Sequence, residues 1–158
     1  MPNKSDSRKA EIRRQAEAIF ELTKMSWARR DSIKRRGEFD LSETEFLTLD
    51  LLSKRGSMTV GELQRAIGVL PAQMSRIIRS LESKLSKPMV HCEINPDDRR
   101  KVDVSLTEMG TKAHATYSET RLAMSISALQ DLSDQDRQEF MRILGVMRES
   151  FAKGLKIK

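Results

Sequence analysis

The chain has 158 residues, of which 38% are hydrophobic, a content that fits one folded domain, or one domain with extensions. Charged residues make up 33% and aromatic residues only 4%, and glycine and proline are few, which favours helices over a β-sandwich or barrel. The formal net charge is +6. A basic surface attracts polyanions, but the charge alone does not separate DNA, RNA and anionic lipid.

Cysteine content and hydropathy predict a cytoplasmic protein. The single cysteine, Cys92, excludes an intramolecular disulfide framework and suits a reducing compartment. No apolar run approaches the roughly 20 residues that a membrane span needs. The opening segment MPNKSDSRKAEIRR is polar where a signal peptide would turn apolar, so we expect no membrane partner.

The first predicted element is one long amphipathic helix over residues 5–36, ended by Gly37. The segment has no proline, and its apolar positions recur at helical spacing beside a charged face. These positions are Ile12, Ala16, Ile19, Phe20, Thr23 and Trp27. A second helix is predicted over residues 42–54, since Ser42 and Glu45 form the pattern of a capping box and Gly56 follows as a stop.

A helix-turn-helix is predicted next. Thr59 can cap a brief helix that Gly68 ends, and Pro71 can open another helix at its first position, where a missing N–H costs nothing. In this second helix the apolar residues lie at i, i+3, i+4 and i+7, which predicts a buried stripe beneath a polar, basic outer face. The stripe comprises Met74, Ile77, Ile78 and Leu81.

A hairpin with a charged tip is predicted after the helix-turn-helix. Residues 89–94 are β-like, and in residues 101–106 Val102, Val104 and Leu106 alternate with polar residues, the pattern of a half-buried strand. Thr107 can cap a long helix over residues 107–129, and Ser133 can cap a last helix. The last helix carries an apolar stripe of Phe140, Ile143, Leu144, Met147 and Phe151.

These residues together resemble the MarR family of bacterial winged-helix regulators, and the wing signature is the most specific part. The shared runs include Met58-Thr59-Val60-Gly61-Glu62-Leu63, Met74-Ser75-Arg76-Ile77-Ile78, Leu81-Glu82, Asn95-Pro96, Asp98-Arg99-Arg100, Val104-Ser105-Leu106-Thr107 and Gly110. Two features depart from the family pattern. Leu70 stands where a Ser or Thr usually precedes the proline, and the junction over residues 84–90 is longer and lacks a glycine.

The resemblance implies a fold and an assembly. The fold class is mainly α with a small β-hairpin wing, a winged helix-turn-helix with terminal dimerisation helices. The domains are a dimerisation helix over residues 1–36, the DNA-binding domain over 37–106, and a linker helix with a C-terminal dimerisation helix over 107–158. Each protomer of the homodimer would read half of a pseudo-palindromic operator. Many relatives release DNA when a small phenolic or aromatic-acid ligand binds, or when a cysteine is oxidised.

Double-stranded DNA is the predicted partner, because the second helix of a helix-turn-helix enters the major groove and an arginine-bearing wing suits a narrow minor groove. Arg76 and Arg79 could bind guanine edges or phosphates, and Gln73 could pair with adenine. Asp98 is expected to orient an arginine, with Arg76 and Arg79 as candidates. The predicted DNA-binding residues are Pro71, Ala72, Gln73, Ser75, Arg76, Arg79, Ser80, Asp98, Arg99, Arg100 and Lys101.

Other readings concern a metal, redox or effector site. His91 and Cys92 are adjacent in a strand and point to opposite faces, so a buried structural cysteine is favoured over a metal or redox site. Trp27, Tyr117 and His114 could line a crevice for a small aromatic or anionic effector, yet packing explains them equally well.

We predict a sequence-specific transcriptional regulator, a repressor in its simplest form, without enzymatic activity, cofactor or metal. The pattern contains no phosphate-binding loop, no HExxH or paired CxxC, and no spacing that suggests a catalytic triad. The alternative function is a helical protein-interaction module on a winged-helix scaffold, which the apolar Leu70 leaves open.

Overall fold

In the computed structural model, residues 4–28 and 39–155 are described. Helix α1 (Lys4–Ala28) opens the chain. The expected continuation of this helix to residue 36, its end at Gly37 and the side chain of Trp27 lie outside the described residues.

Helices α2 (Glu43–Arg55) and α3 (Val60–Ile67) begin at the two predicted N-caps. The Ser42 hydroxyl accepts from the Glu45 N–H at 3.2 Å, and the Ser42 N–H donates to the Glu45 carboxylate at 2.7 Å. Thr59 and Glu62 form the same reciprocal pair ahead of α3. Gly68 ends α3 in the left-handed conformation at φ 76°, which glycine adopts without steric cost. The predicted capping box of Ser42 and the predicted cap at Thr59 are both confirmed.

Helix α4 (Pro71–Ser83) starts with its proline in the first turn. All four residues of the predicted stripe, Met74, Ile77, Ile78 and Leu81, are buried. Helix α4 packs on α2 and α3. The predicted helix-turn-helix is therefore present, with α4 as its second helix.

Three short strands form an antiparallel sheet in the order β1-β3-β2. Strands β2 (Val90–Ile94) and β3 (Val102–Leu106) make the predicted hairpin, in which Cys92 lies opposite Val104. Strand β1 (Met58–Thr59) pairs with the other edge of β3, so that Met58 also lies opposite Val104. This third strand ties the start of α3 to the wing.

One hydrophobic core joins α2, α3, α4 and the sheet to the first turns of the following helix, α5 (Glu108–Gln130). The fully buried side chains at its centre are Leu41, Thr48, Leu49, Leu52, Leu63, Met74, Leu81, Met89, Val90 and Val104. The final helix is α6 (Asp134–Leu155), and its predicted cap is confirmed because the Ser133 hydroxyl accepts from the Asp136 N–H at 3.1 Å.

The described residues divide into two compact units, with the boundary between Tyr117 and Ser118, inside α5. The predicted class, mainly helical with a small sheet, is confirmed. Of the helices described, none is both long and apolar enough to cross a membrane.

Candidate nucleic-acid interface

The outer face of α4 is exposed, and it is polar from residue 73 to residue 79, as its sequence pattern predicts. We call this surface the recognition-helix face. It comprises Pro71, Ala72, Gln73, Ser75, Arg76 and Arg79. The face exists because the apolar residues at helical spacing all turn to the opposite side, into the core.

The start of α4 is capped from inside the helix. Leu70 has no side-chain atom that can accept a hydrogen bond, but its N–H donates to the Gln73 side-chain oxygen at 3.0 Å. This contact replaces one arm of a capping box. It also engages the oxygen that Gln73 would use in a bidentate pair with adenine, which leaves one lone pair of that oxygen for such a pair.

The two arginines of the recognition-helix face differ in their partners. Arg79 donates through Nε to the Ser75 carbonyl at 3.3 Å. Arg76 is exposed and makes no hydrogen bond or ion pair with any residue in the described part of the chain. Arginine offers five N–H donors in a planar fork, so Arg76 is the side chain on this helix most available to an anion or a guanine edge.

Ser80 does not lie on the exposed face. It is half-buried, and its hydroxyl donates to Glu45 Oε1 at 2.5 Å. The carboxylate of Glu45, only 4% exposed, also accepts from Lys84 Nζ at 2.6 Å, and Lys84 Nζ donates to the Asp40 carbonyl at 2.7 Å. This network fastens the C-terminal end of α4 to the start of α2.

The same network lowers the pKa of Glu45 below its ordinary value. Burial acts to raise this pKa, but hydrogen bonds from Lys84, Ser80 and the Ser42 N–H, with the charge of Lys84, outweigh it. Glu45 is therefore ionised in the folded protein at neutral pH. Sequence reasoning assigned Glu45 only to the cap of α2, because nothing local marks its contact with residues 35 and 39 positions away.

The wing tip, residues 95–101, is shaped by Asn95 and Asp98. The Asn95 side-chain oxygen accepts from the N–H groups of Asp97 and Asp98 at 3.0 and 2.9 Å, and its NH₂ group donates to Asp103 at 2.8 Å. An asparagine that bonds backbone groups two and three residues ahead is a turn-forming pattern. The Asn95-Pro96 pair carried this signal, but Asn95 was absent from the predicted site.

Asp98 orients an arginine, as predicted, but the arginine is Arg100 and not Arg76 or Arg79. Asp98 Oδ1 accepts from both Nε and the backbone N–H of Arg100 at 3.2 Å, and Asp98 Oδ2 lies 3.3 Å from Lys101 Nζ. Arg76 and Arg79 lie on a different element, whereas the tight turn brings Arg100 back onto the carboxylate. The hydrogen bonds from Arg100, with Lys101, lower the pKa of Asp98.

Positive charge is presented at the wing tip despite this pairing. The Arg100 side chain remains 92% exposed, and Arg99 is exposed without an ion pair to any residue that the structure describes. Arg99, Arg100 and Lys101 thus bring three cationic side chains to one turn.

The long junction between α4 and the wing is held by backbone hydrogen bonds. The Met89 N–H donates to the Leu81 carbonyl at 2.8 Å, and the Met89 carbonyl accepts from the Thr107 N–H at 3.1 Å. The Thr107 hydroxyl donates to the Pro88 carbonyl at 2.6 Å. Because Met89 is also fully buried, the junction fixes the wing to both α4 and α5.

Cys92 is half-buried and packs beside the core. The sequence predicted a buried cysteine, so this prediction is wrong. Burial, with a contribution from Glu82, raises the pKa of the Cys92 thiol to about 11, which keeps it protonated at neutral pH. Over the described ranges, no group of three or more His, Cys, Asp or Glu side chains is arranged to hold a metal ion.

His114 and Tyr117 pack within the first unit. His114 Nε2 lies 3.1 Å from Asp50 Oδ1, and its ring stacks on Phe46 at 5.5 Å between centroids. The Tyr117 hydroxyl donates to the Leu41 carbonyl at 3.3 Å. These contacts support the packing role that the sequence left open for both residues.

A helix-turn-helix followed by a basic two-stranded wing defines the winged helix-turn-helix class. The comparisons with known proteins agree: residues 41–102 match the model of the MarR family. The predicted resemblance is therefore confirmed over residues 41–102. Comparison with curated protein sequences gives no match.

Three solved structures show the extent of the likeness in fold. A MarR family protein from Bacillus stearothermophilus is 18% identical with a TM-score of 0.76, covering 96% of this chain and 99% of the other. A mutant of Staphylococcus aureus MepR bound to an oligodeoxyribonucleotide is 17% identical, TM-score 0.61, covering 87% and 97%. Bordetella bronchiseptica BpsR, whose DNA binding 6-hydroxynicotinic acid regulates, is 21% identical, TM-score 0.57, covering 83% and 98%.

Proposed function

We propose that this protein is a sequence-specific DNA-binding transcriptional regulator. One observation carries the proposal. A single compact unit presents an exposed helix face, on which Arg76 has no ion pair among the described residues, together with a wing tip that bears Arg99, Arg100 and Lys101. In winged helix-turn-helix proteins the second helix lies in the major groove, and arginine favours the negative potential of a narrow minor groove. The DNA-bound state of MepR supports the same use of the fold here.

The contacts divide by the chemistry of each side chain. Arg76 and Arg79 would bind guanine edges or phosphates, and the first turn of α4, with Pro71, Ala72, Gln73 and Ser75, would approach the bases. Arg99, Arg100 and Lys101 would bind the backbone and the minor groove, while Asp98 acts indirectly by aiming Arg100. Ser80 would act only by holding α4 through Glu45.

The proposed assembly is a homodimer on a pseudo-palindromic operator. Helix α1 exposes the apolar side chains Ile12, Ile19, Phe20, Leu22 and Met25. Helix α6 exposes Phe140, Met141, Ile143, Val146 and Phe151. Large apolar surfaces of this kind need a partner, because an isolated helix cannot bury its own apolar stripe. Two protomers would then meet half-sites about one helical turn apart, and binding at a promoter would repress by excluding polymerase.

Effector release is the regulatory part of the proposal, and a pocket in the first unit suits it. The pocket is lined by Lys87, Pro88, Thr107, Glu108, Met109 and Lys112. Lys87 and Lys112 would attract a small aromatic carboxylate, and the neighbouring Glu108 carboxylate would oppose this attraction. Since Pro88 and Thr107 also join the wing to α5, a ligand here would bias the position of the wing.

Selection from a random duplex pool tests the proposal. The full-length protein should enrich a pseudo-palindromic motif, and footprinting should map its two half-sites. Arg76→Ala and Gln73→Ala should change the preferred bases, whereas Arg100→Ala should weaken binding to all sequences alike. Unchanged binding in all three variants would contradict the docking mode.

The same selection experiment distinguishes DNA binding from the alternative function, a protein-interaction module. In that case no motif is enriched, binding to DNA is absent or independent of salt, and the protein forms a stable complex with a protein partner instead.

A further inference from the structure

The end of the recognition helix that leads into the major groove is apolar in this protein. Leu70, at the N-cap of α4, is 69% exposed, and the next two residues, Pro71 and Ala72, are exposed as well. The basic residues of the helix, Arg76 and Arg79, begin one turn further along. None of these three side chains can donate a hydrogen bond to a phosphate.

Leu70 offers only its side chain to a ligand. Its N–H donates to the Gln73 side chain at 3.0 Å, and its carbonyl accepts from the N–H groups of Gln73 and Met74, each at 3.0 Å. Both backbone groups are thus satisfied by the helix itself. The four-carbon aliphatic group projects from a backbone that these three hydrogen bonds hold in place.

The major groove contains one apolar group among the four bases, the C5-methyl of thymine. Contact between an aliphatic side chain and this methyl removes apolar surface of both from water. We propose that Leu70 is a specificity-determining residue that contacts the C5-methyl group of one thymine in each half-site. The inference rests on the proposed DNA-binding function, and it assigns a base preference to a position without a hydrogen-bonding side chain.

The test removes the methyl group alone. In the operator obtained by selection, each thymine is replaced singly by deoxyuridine, which keeps every Watson–Crick and major-groove hydrogen-bonding atom. Wild-type binding should weaken about fourfold at one thymine in each half-site, the ratio that corresponds to one buried CH₂ group at about 0.8 kcal/mol. Leu70→Ala should bind the thymine and uracil duplexes equally at that position.

Leu70→Ser supplies a second variant that separates recognition from folding. Serine can accept from the backbone and cap α4, so this variant should retain the fold by circular dichroism while losing the difference between thymine and uracil. Equal uracil profiles for wild type and both variants, or no thymine whose methyl matters, would overturn the inference while DNA binding stands. Failure of the wild type to enrich any motif would remove the proposed function and this inference together.

Discussion

The carbonyl oxygen of Met89 occupies the space where a side chain at Gly110 would lie, so that a Cβ added there overlaps it. The same carbonyl accepts from the Thr107 N–H at 3.1 Å, and the Thr107 hydroxyl accepts from the Gly110 N–H at 3.0 Å. The base of the wing and the first turn of α5 are therefore in direct backbone contact.

Gly110→Ala should lower the free energy of unfolding by about 3 kcal/mol, at the upper end of overpacking costs, because the obstacle is backbone and cannot rotate away. Urea denaturation followed by circular dichroism measures the change. Gly61→Ala is the matched control, since only the end of the flexible Arg65 side chain comes near, at 3.4 Å. It should be neutral or slightly stabilising, and equal losses in both variants would contradict the assigned contact.

Lys84→Met should destabilise the protein by about 3 kcal/mol, because it leaves the buried Glu45 carboxylate without its cation. Lys54→Met provides the comparison: the Lys54 pair with Asp50 is more exposed and should contribute no more than about 0.5 kcal/mol. Similar denaturation midpoints for the two variants would show that the Glu45 network does not stabilise the helix-turn-helix.

Acid should weaken the wild-type fold through Glu45. Its pKa is lowered on folding from an ordinary value of 4.5, so the unfolded chain binds more protons in the acidic range. The stabilisation is fully present above the unfolded pKa and is lost as the pH falls through the folded pKa. Glu45→Gln should flatten the pH dependence of the unfolding free energy below about pH 4.5, and an unchanged curve would contradict the low pKa.

Much of this fold was predictable because its signals are local. The Ser42 capping box, the cap at Thr59, the proline at the start of α4 and the stripe beginning at Met74 each lie within one or two turns of helix. Sequence spacing was therefore enough to predict them. The pairing of Met58 with Val104 and the contact of Glu45 with Lys84 were not predictable in this way. Both join residues far apart in sequence, and their side chains carry no mark of the partner.

The exposure of the charged residues was easier to predict from the sequence than the partners of their side chains, and their DNA-binding role stays a prediction. Arg99, Arg100 and Lys101 are exposed at the wing tip as their charge suggested. The predicted partner of Asp98 was wrong, because the geometry of the turn, and not charge alone, decides which arginine reaches the carboxylate. Ser80 was misplaced because it falls at the border of the buried stripe, where helical periodicity does not distinguish a half-buried serine from an exposed one.

Asp98→Asn should weaken DNA binding, although it removes a negative charge from a surface proposed to meet phosphates. The loss follows because the Asp98 carboxylate no longer holds Arg100 through charge-assisted hydrogen bonds. Asp97→Asn changes the charge equally without touching Arg100, and it should leave affinity unchanged or slightly raised. A mobility shift measures the DNA affinity of both variants. Tighter binding by Asp98→Asn would contradict the orienting role of Asp98.

Cys92 should react slowly with alkylating agents. With its thiol pKa raised to about 11, the thiolate fraction at pH 8 is on the order of 100-fold below that of an ordinary cysteine. Iodoacetamide labelling, followed by mass spectrometry, should therefore be far slower in the native protein than in denaturant. DNA binding should also survive mild peroxide as well as it does in Cys92→Ser. Fast native labelling would restore a redox role for this residue.

Specific DNA binding can be measured by a mobility shift of the purified protein on DNA from the intergenic region upstream of its own gene, across a salt series with excess non-specific competitor. We expect a complex that resists competitor and whose affinity falls steeply with salt. The slope of log affinity against log salt should shrink by about one for each phosphate-binding cation removed, as in Arg99→Ala. Absence of any complex at low salt would contradict sequence-specific DNA binding and would favour the protein-interaction alternative.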